Sequence, residues 1–283
     1  MQASPALPGR AMHALHFVAT RARDPQADGE ASTLERELAA AGVQVHAFAL
    51  IHLLPAADPL PAQRAVRELE GFHLAVPVSP SAVQALLRLR ERPWPASCAV
   101  GLIGRASREA FERGLRERGE DPRLLRLLCA QQAGADSEAL WQELQALRGA
   151  WQGARVLILR GDGGRDWLAA TLQAAGAQVQ VVELYRRVAP PADADALERL
   201  RALLELRAAW QIGAVSSLHN LCAMLRAAGM DPRRELAAQR ALVHHPRVGE
   251  AARKAGFGRV DVVEFRAESL LRALAAAQDG PAT

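Results

Sequence analysis

The spacing of hydrophobic and polar positions along this chain switches between a strand period and a helix period. The clearest switch lies between Arg155 and Arg187. Val156 to Leu159 is a short apolar run, which predicts a buried strand. Gly161, Gly163 and Gly164 supply a permissive turn, after which Trp167, Leu168, Thr171, Leu172 and Ala175 fall on one face at helical spacing. Gly176 stops that helix. Gln178 to Val182 is β-rich and alternates, and the strand runs on through Leu184 to Tyr185 before Pro190 and Pro191 break it. The stretch is one β-α-β unit whose exit strand carries the only tyrosine of the chain.

The same order occurs earlier. Phe17 to Thr20 and Arg21 precede a loop, a helix carrying Leu34, Leu38 and Ala41, then Gly42 and a strand-like run ended by proline. LERELAAAGVQVHAFALIHLLP from Leu34 matches LAATLQAAGAQVQVVELYRRVAP from Leu168, VSPSAVQALL from Val78 matches VSSLHNLCAML from Val215, and CAVG at Cys98 has a counterpart in ALVH at Ala241. The members of each pair lie about 140 residues apart, the size of a modest domain, so two related halves are expected.

The remaining pattern fills in both halves. Residues 1–13 read as a loose leader. Leu15 to Thr20 is the first strand, and Ser32 with Glu35 has capping-box spacing for the first helix. Val43 to Leu54 reads as one long strand ended by Pro55, Pro59 and Pro61. A short helix over Leu60 to Leu69 follows, then a strand over Phe72 to Val78 interrupted by Pro77, and a helix to Arg90 capped by Ser79-Pro80-Ser81. Cys98 to Ile103 is a strand, Ser107 to Arg118 a helix, Leu124 to Cys129 a strand and Ser137 to Leu147 an amphipathic helix. Beyond the prolines come a helix over Ala194 to Arg207, a strand over Ala209 to Val215, and a helix through Ala227 capped by Ser216 or Ser217. Ala241 to His244 is a strand, His245-Pro246 opens a helix that Gly256 closes, Val260 to Glu264 is the last strand, and a helix covers Glu268 to Ala277. Strands alternate with helices throughout, which predicts an α/β protein with parallel sheets flanked by helices on both faces.

Composition narrows the setting. Of 283 residues, 50% are hydrophobic and 23% charged, enough apolar surface for two ordinary cores. No apolar run approaches the length of a membrane span and the N-terminus lacks a secretory core, so a soluble cytoplasmic protein is expected. Cys98, Cys129 and Cys222 are odd in number and set in apolar surroundings, which predicts reduced core thiols. The net charge of +4 is carried by arginine, with Lys254 the sole lysine. Arginine forks bind carboxylate and phosphate, so the excess allows an anionic ligand; it also fits a solvated surface. Aromatics are only 4%, and no basic cluster has interleaved aromatics, which argues against a nucleic-acid platform.

In parallel sheets, ligands sit beyond the carboxyl ends of the strands, where helix N-termini present free N–H groups. Four places put small polar groups there: Ser79/Ser81, Gly161 to Gly164, Ser216/Ser217, and His244/His245 with Arg247. Each serine also has the simpler role of a cap. The GDGG turn lacks the ending of a phosphate loop and is no dinucleotide fingerprint. His244 and His245 point to opposite faces of a strand with no further ligand at metal spacing, so no metal site is expected. Tyr185 is either a hydrogen-bond donor into a cleft or an amphipathic packing residue.

Three segments together resemble a known family. LILRGDGGRDWLAATLQAAGAQVQVVELYRR, the Ser216 to Leu221 stretch, and HHPRVGEAARKAGF from His244 look like uroporphyrinogen-III synthase, with similarity over nearly the whole chain and firmest from 155 to 257. The first half departs from the family pattern. The usual Arg-Pro after the first strand stands as Arg21-Ala22, and Thr-Ser-Pro-Asn stands as Val78-Ser79-Pro80-Ser81.

The resemblance implies two similar α/β domains joined by a two-stranded β-ladder. Residues 1–45 with 190–283 form the first domain, 54–180 the second, and 46–53 with 181–189 the linker strands. It implies a monomeric lyase of haem biosynthesis that cyclises linear hydroxymethylbilane without cofactor or metal, inverting ring D and losing water. The partner is that polycarboxylate tetrapyrrole, with no nucleic acid or membrane. Tyr185 matches the tyrosine thought to assist departure of the hydroxyl. The substrate-binding positions carried over are Arg21, Ser79, Ser81, Arg160, Gly161, Gly163, Ser216, Ser217, His245 and Arg247. A two-lobed anion-binding protein without chemistry, or a degenerate synthase-like chain, is the competing expectation.

Overall fold

The computed structural model describes residues 15–24, 31–129, 136–147, 151–164 and 166–276. The expected leader and Ala277, the last residue of the final expected helix, lie outside them. In chain order the elements begin with β1 (His16–Ala19), α1 (Thr33–Ala40), β2 (Gln44–Ala47), β3 (His52–Pro55), α2 (Leu60–Arg67), β4 (Leu74–Pro77), α3 (Pro80–Leu89), β5 (Ala99–Leu102), α4 (Gly104–Arg116) and β6 (Leu127–Cys129). They continue with α5 (Ser137–Leu147), β7 (Arg155–Gly161), α6 (Trp167–Ala174), β8 (Gln178–Val188), α7 (Ala194–Glu205) and β9 (Ala209–Ile212). The last are α8 (Val215–Ala227), α9 (Pro232–Leu236), β10 (Arg240–Val243), α10 (Pro246–Ala255), β11 (Arg259–Val262) and α11 (Ala267–Ala275). The chain divides into two compact units, the first of Met1–Leu53 with Val188–Thr283 and the second of Leu54–Arg187.

The first unit holds a five-stranded sheet of order β11-β10-β9-β1-β2, all of its ladders parallel. Period-two alternation decides what each strand buries. Val18, Trp210, Ile212, Ala241 and Val243 pack against α7, α8 and α10, while Phe17, Ala19, Ala209 and Leu242 face α1 and α11. Trp210 has no exposed surface, and its indole N–H donates to Gln239 at 3.1 Å, so the polar edge of the ring is satisfied as its apolar body is buried.

The second unit is built on the strands β8-β7-β4-β5-β6, joined by parallel ladders from β8 to β6, within the six-stranded order β3-β8-β7-β4-β5-β6. Leu74, Val76, Val156 and Ile158 pack with Leu140 and Leu144 of α5 and Leu168 and Leu172 of α6. Helix α3 packs on β4 and β7 and against α4. Each aliphatic side chain taken fully out of water contributes about 1.5–3 kcal/mol before entropy is counted.

The two sheets share one layout. Taking β1, β2, β9, β10 and β11 as first to fifth strands, and β7, β8, β4, β5 and β6 likewise, both sheets read second-first-third-fourth-fifth across. In the second unit the third to fifth strands precede the first and second along the chain, and β3 lies beside β8 in the sheet order.

Several local expectations are corrected. Val43 to Leu54 is two strands rather than one, because the chain bends at 48–51 to bury Phe48, Leu50 and Ile51. The bend is held by the Arg23 amide donating to Ile51 O at 3.1 Å. Helix α8 starts at Val215 with Ala214 as its N-cap, so Ser216 and Ser217 lie inside the first turn and neither caps it. Helix α4 starts at Gly104, three residues before Ser107, again without a side-chain cap to announce it. Trp167 is exposed: Leu168, Ala169 and Leu172 form the buried stripe of α6 and turn the indole outward.

Local signals that involve only neighbours read correctly. Ser32 and Glu35 form a reciprocal capping box, and Gly256 ends α10 with φ 112. Cys98, Cys129 and Cys222 are all buried, and burial pushes the Cys98 thiol up to about 12, which makes it unreactive. Among the described residues no helix is long and apolar enough to cross a membrane.

Candidate functional site

In each unit the chain reverses direction across the sheet between the first and third strands, and the helices that follow them leave on opposite faces. After β7 the chain enters α6, which packs on the face shared with α5, whereas α3 follows β4 onto β4 and β7. Such a switch point leaves a crevice at the strands' carboxyl ends, lined by helix N-termini.

In the second unit Tyr185 lies at these strand ends, against Gly161 and Ser79. Its position follows from a register shift between Arg160 and Gly161, which sets Gly161 opposite Tyr185. The Asp162 amide then donates to the Tyr185 carbonyl at 2.9 Å. Gly161 has a steric role rather than a conformational one, because a Cβ there would lie 2.3 Å from Tyr185 Cε2. The phenol ring packs against the bare backbone of Gly161. Its oxygen is 3.2 Å from Ser79 Oγ, and the same Oγ accepts the Ala82 amide at 3.1 Å as the N-cap of α3. Arg187 Nη2 donates to the phenol oxygen at 3.3 Å, with its guanidinium carbon 5.5 Å from the ring centroid. The ring is buried and Arg187 is exposed.

Arg160 extends from the end of β7 back over its own turn, donating to Gly164 O at 3.0 Å and to Asp166 at 2.6 Å. Gly163 supplies the φ of 64 that the turn requires, and Ser81 sits half-buried in the first turn of α3.

The equivalent strand ends of the first unit are those of β1 and β9, which pair directly. Thr20 is buried there, and its hydroxyl donates to the Gln211 carbonyl, tying the two strand ends together. Arg21 and Arg23 both reach Glu35, at 3.2 and 2.6 Å. Burial pushes the Glu35 carboxyl up, but the Ser32 amide and the two guanidinium groups outweigh it and hold it below the usual carboxylate range. Ser217 is buried in the first turn of α8, and Ser216 beside it is exposed. At the end of β10, His245 caps α10 with its ring. Nδ1 accepts the Arg247 amide at 3.1 Å, so the ring proton lies on Nε2, and the Arg247 side chain is exposed on the first turn.

The structure therefore gathers Ser79, Gly161 and Tyr185 into direct contact, and sets Arg160, Gly163 and Ser81 on the same strand ends. Arg21, Ser216, Ser217, His245 and Arg247 lie at the carboxyl ends of β1, β9 and β10 in the other unit. Sequence reasoning missed Arg187, Asp162, Thr20 and Glu35 as parts of these corners. A signal existed for Arg187, since residues two apart on a strand share a face and Tyr185 is followed two residues on by arginine. Asp162 had none, because its bond to the Arg187 amide at 2.8 Å spans 25 positions of sequence.

Comparison with known proteins places the chain in a family. A family model described as uroporphyrinogen-III synthase HemD matches residues 32–272. A uroporphyrinogen-III synthase of Salmonella typhimurium is 53% identical over 55 residues, a stretch that spans 19% of this chain and 21% of that relative. Among solved structures, a uroporphyrinogen III synthase from Thermus thermophilus is 19% identical with a TM-score of 0.47, covering 94% of this chain and 99% of that one. One from Helicobacter pylori is 12% identical with a TM-score of 0.49, covering 92% and 99%. The parallel sheets, their switch points and a family match over most of the chain define a member of an α/β enzyme family. The chain belongs to the uroporphyrinogen-III synthase family.

Proposed function

We propose that this protein cyclises linear hydroxymethylbilane to the III isomer of uroporphyrinogen, inverting ring D and releasing water. The observation that carries the reading is the family match over residues 32–272, which takes in both halves of the repeat and the Tyr185 corner. In this reading Tyr185 donates a proton to the departing hydroxyl, which leaves as water and leaves the terminal pyrrole as an azafulvenium cation. The substituted carbon of ring D attacks it to form a spiro intermediate, which fragments and recloses. Unassisted closure gives the other isomer, so the protein's larger task is to hold the bilane in one shape. Orientation of this kind is worth roughly 7 kcal/mol or more, ample for that choice.

The substrate's eight carboxylates give the arginines and helix N-termini a purpose. Arg21, Ser79, Ser81, Arg160, Gly161, Gly163, Ser216, Ser217, His245 and Arg247 are the positions proposed to meet them, with residues 46–53 and 181–189 as the connecting strands. Arg247 is the most direct test of this group, being exposed beside a helix start. Arg247→Ala is expected to weaken binding by about 1.5–3 kcal/mol, the range for a hydrogen bond to a charged group. The protein is proposed to act as a cytoplasmic monomer.

The decisive experiment incubates the chelator-treated protein with enzymatically generated bilane and resolves the product isomers. Formation of the III isomer above the spontaneous rate is expected. Exclusive formation of the I isomer at the spontaneous rate would falsify the reading, and activity that returned only with added metal would exclude the metal-free mechanism.

A further inference from the structure

Arg187 makes its side-chain contacts around Tyr185. Its guanidinium donates to the phenol oxygen, lies beside the ring, and donates to Asp162 O at 3.3 Å, while its own amide donates to Asp162 Oδ1 at 2.8 Å. The Asp162 amide in turn donates to the Tyr185 carbonyl at 2.9 Å. The three residues form a closed clamp of backbone and side-chain bonds at the end of β8. We propose that Arg187 is a positioning residue for the Tyr185 hydroxyl: it fixes the phenol oxygen by donation, leaves the phenol proton for a ligand, and steadies the phenolate when that proton is given up. The inference rests on the role proposed above for Tyr185.

Donor and acceptor counts support this assignment. A guanidinium has donors and no acceptor, so the phenol oxygen must accept at the Arg187 contact. Ser79 Oγ already accepts the Ala82 amide, but its hydroxyl proton is free to rotate. While Tyr185 keeps its proton, either oxygen of the Ser79 pair can be the donor. Once a ligand oxygen takes that proton, Ser79 can turn its O–H onto the phenolate, which then has two donors, one of them cationic. Charge-assisted bonds are about twice as strong as neutral ones, and burial of the ring strengthens them further. The guanidinium also lies within the distance at which a cation is attracted to an aromatic ring.

The step balances. The C–O bond of the hydroxymethyl group breaks with its electron pair on oxygen, and that oxygen takes the Tyr185 proton and leaves as water. The O–H bonding pair stays on Tyr185 as phenolate beside Arg187. The proton returns when the unsubstituted carbon of ring D loses its hydrogen in the final closure.

Tyr185 is the only tyrosine, so full-length protein enriched at the tyrosine ring carbon that bears oxygen gives a single resonance sensitive to hydrogen bonding at the phenol. Arg187→Met is expected to move that resonance and to lower kcat about tenfold with KM nearly unchanged, the scale of one lost charge-assisted bond. Arg187→Lys should recover part of the rate. In a Tyr185→Phe background, Arg187→Met should cost no further turnover. An unmoved resonance, an increase confined to KM, or an equal loss in both backgrounds overturns the proposal and leaves the role of Tyr185 standing. Unchanged turnover in Tyr185→Phe alone removes the reading of Tyr185 itself, and the proposal with it. If Arg187→Met fails to fold, Arg187→Gln supports the same comparison, since it keeps a donor and loses the charge.

Discussion

Arg21 and Arg160 stand at equivalent corners of the two units, and what surrounds them differs. Aligning Leu34 with Leu168 also aligns Ala47 with Val181. Ala19 pairs with Ala47 and Ile158 with Val181, so two positions on, Arg21 corresponds to Arg160. Both arginines turn back to an acid at the start of the next helix, Glu35 in α1 and Asp166 at the N-cap of α6. In the first unit that acid is buried and shared with Arg23, whereas in the second it is open to solvent. The next positions diverge as well. Ala22 and Ile51 in the first unit stand where Gly161 and Tyr185 stand in the second. The repeat supplied one backbone corner twice. In one copy two arginines converge on the buried Glu35 carboxylate, and in the other the absence of a Cβ at Gly161 leaves room for a phenol.

The largest expected effect tests the ion cluster. Glu35→Gln removes the carboxylate that Arg21 shares with Arg23, whose side chain is only 16% exposed, and should cost about 3 kcal/mol in urea unfolding. Asp166→Asn removes an exposed partner, 77% accessible, and should cost under about 1 kcal/mol. The pH dependence has a definite sign. Because the fold holds Glu35 below the ordinary carboxylate range, its contribution is full above the unfolded group's range and is lost as pH falls through the folded value. The Gln variant should therefore show a shallower acid limb than the parent. Equal costs for the two substitutions would show that the corners are energetically alike.

The second effect tests the missing Cβ. In Gly161→Ala the new methyl would lie 2.3 Å from Cε2 and 2.7 Å from Cζ of a buried ring, so Tyr185 must shift. Overpacking of this kind costs about 1–3 kcal/mol, and turnover should fall with it. Ala22→Gly at the equivalent position should change stability by less than about 1 kcal/mol and leave turnover unchanged. If Gly161→Ala proves silent, the phenol does not depend on the bare backbone beneath it.

The smallest effect concerns the helices after the third strands. Ser79→Ala removes the cap of α3 and should cost about 1 kcal/mol. Ser216→Ala, at the matching point of α8, removes no cap and should stay within about 0.5 kcal/mol. Thermal unfolding of the two variants side by side is the check.

These comparisons also show where sequence was informative. Alternation, glycine stops and the Ser32–Glu35 box depend on neighbours only, and so the β-α-β units and the repeat were visible in the chain itself. The break at 48–51 was invisible because Phe48, Leu50 and Ile51 are as strand-like in composition as their neighbours, and the bend is set by the distant Arg23 amide. The start of α8 was misplaced for a related reason, since Ala214 carries no capping side chain and the serines beside it suggested one. At the candidate site, Tyr185 stood out by being single, while its partners Ser79 and Asp162 lie 106 and 25 positions from the residues they bind. Contacts of that range depend on the sheet order.

In the proposed mechanism the Tyr185 corner assists the chemistry while binding decides the isomer. The direct measurement is the rate and isomer composition of product from Tyr185→Phe in single turnover, with protein in excess over enzymatically generated bilane. The III isomer is expected, formed more slowly by up to about 10²-fold. An unchanged rate, or replacement of the III isomer by the I isomer, would contradict it.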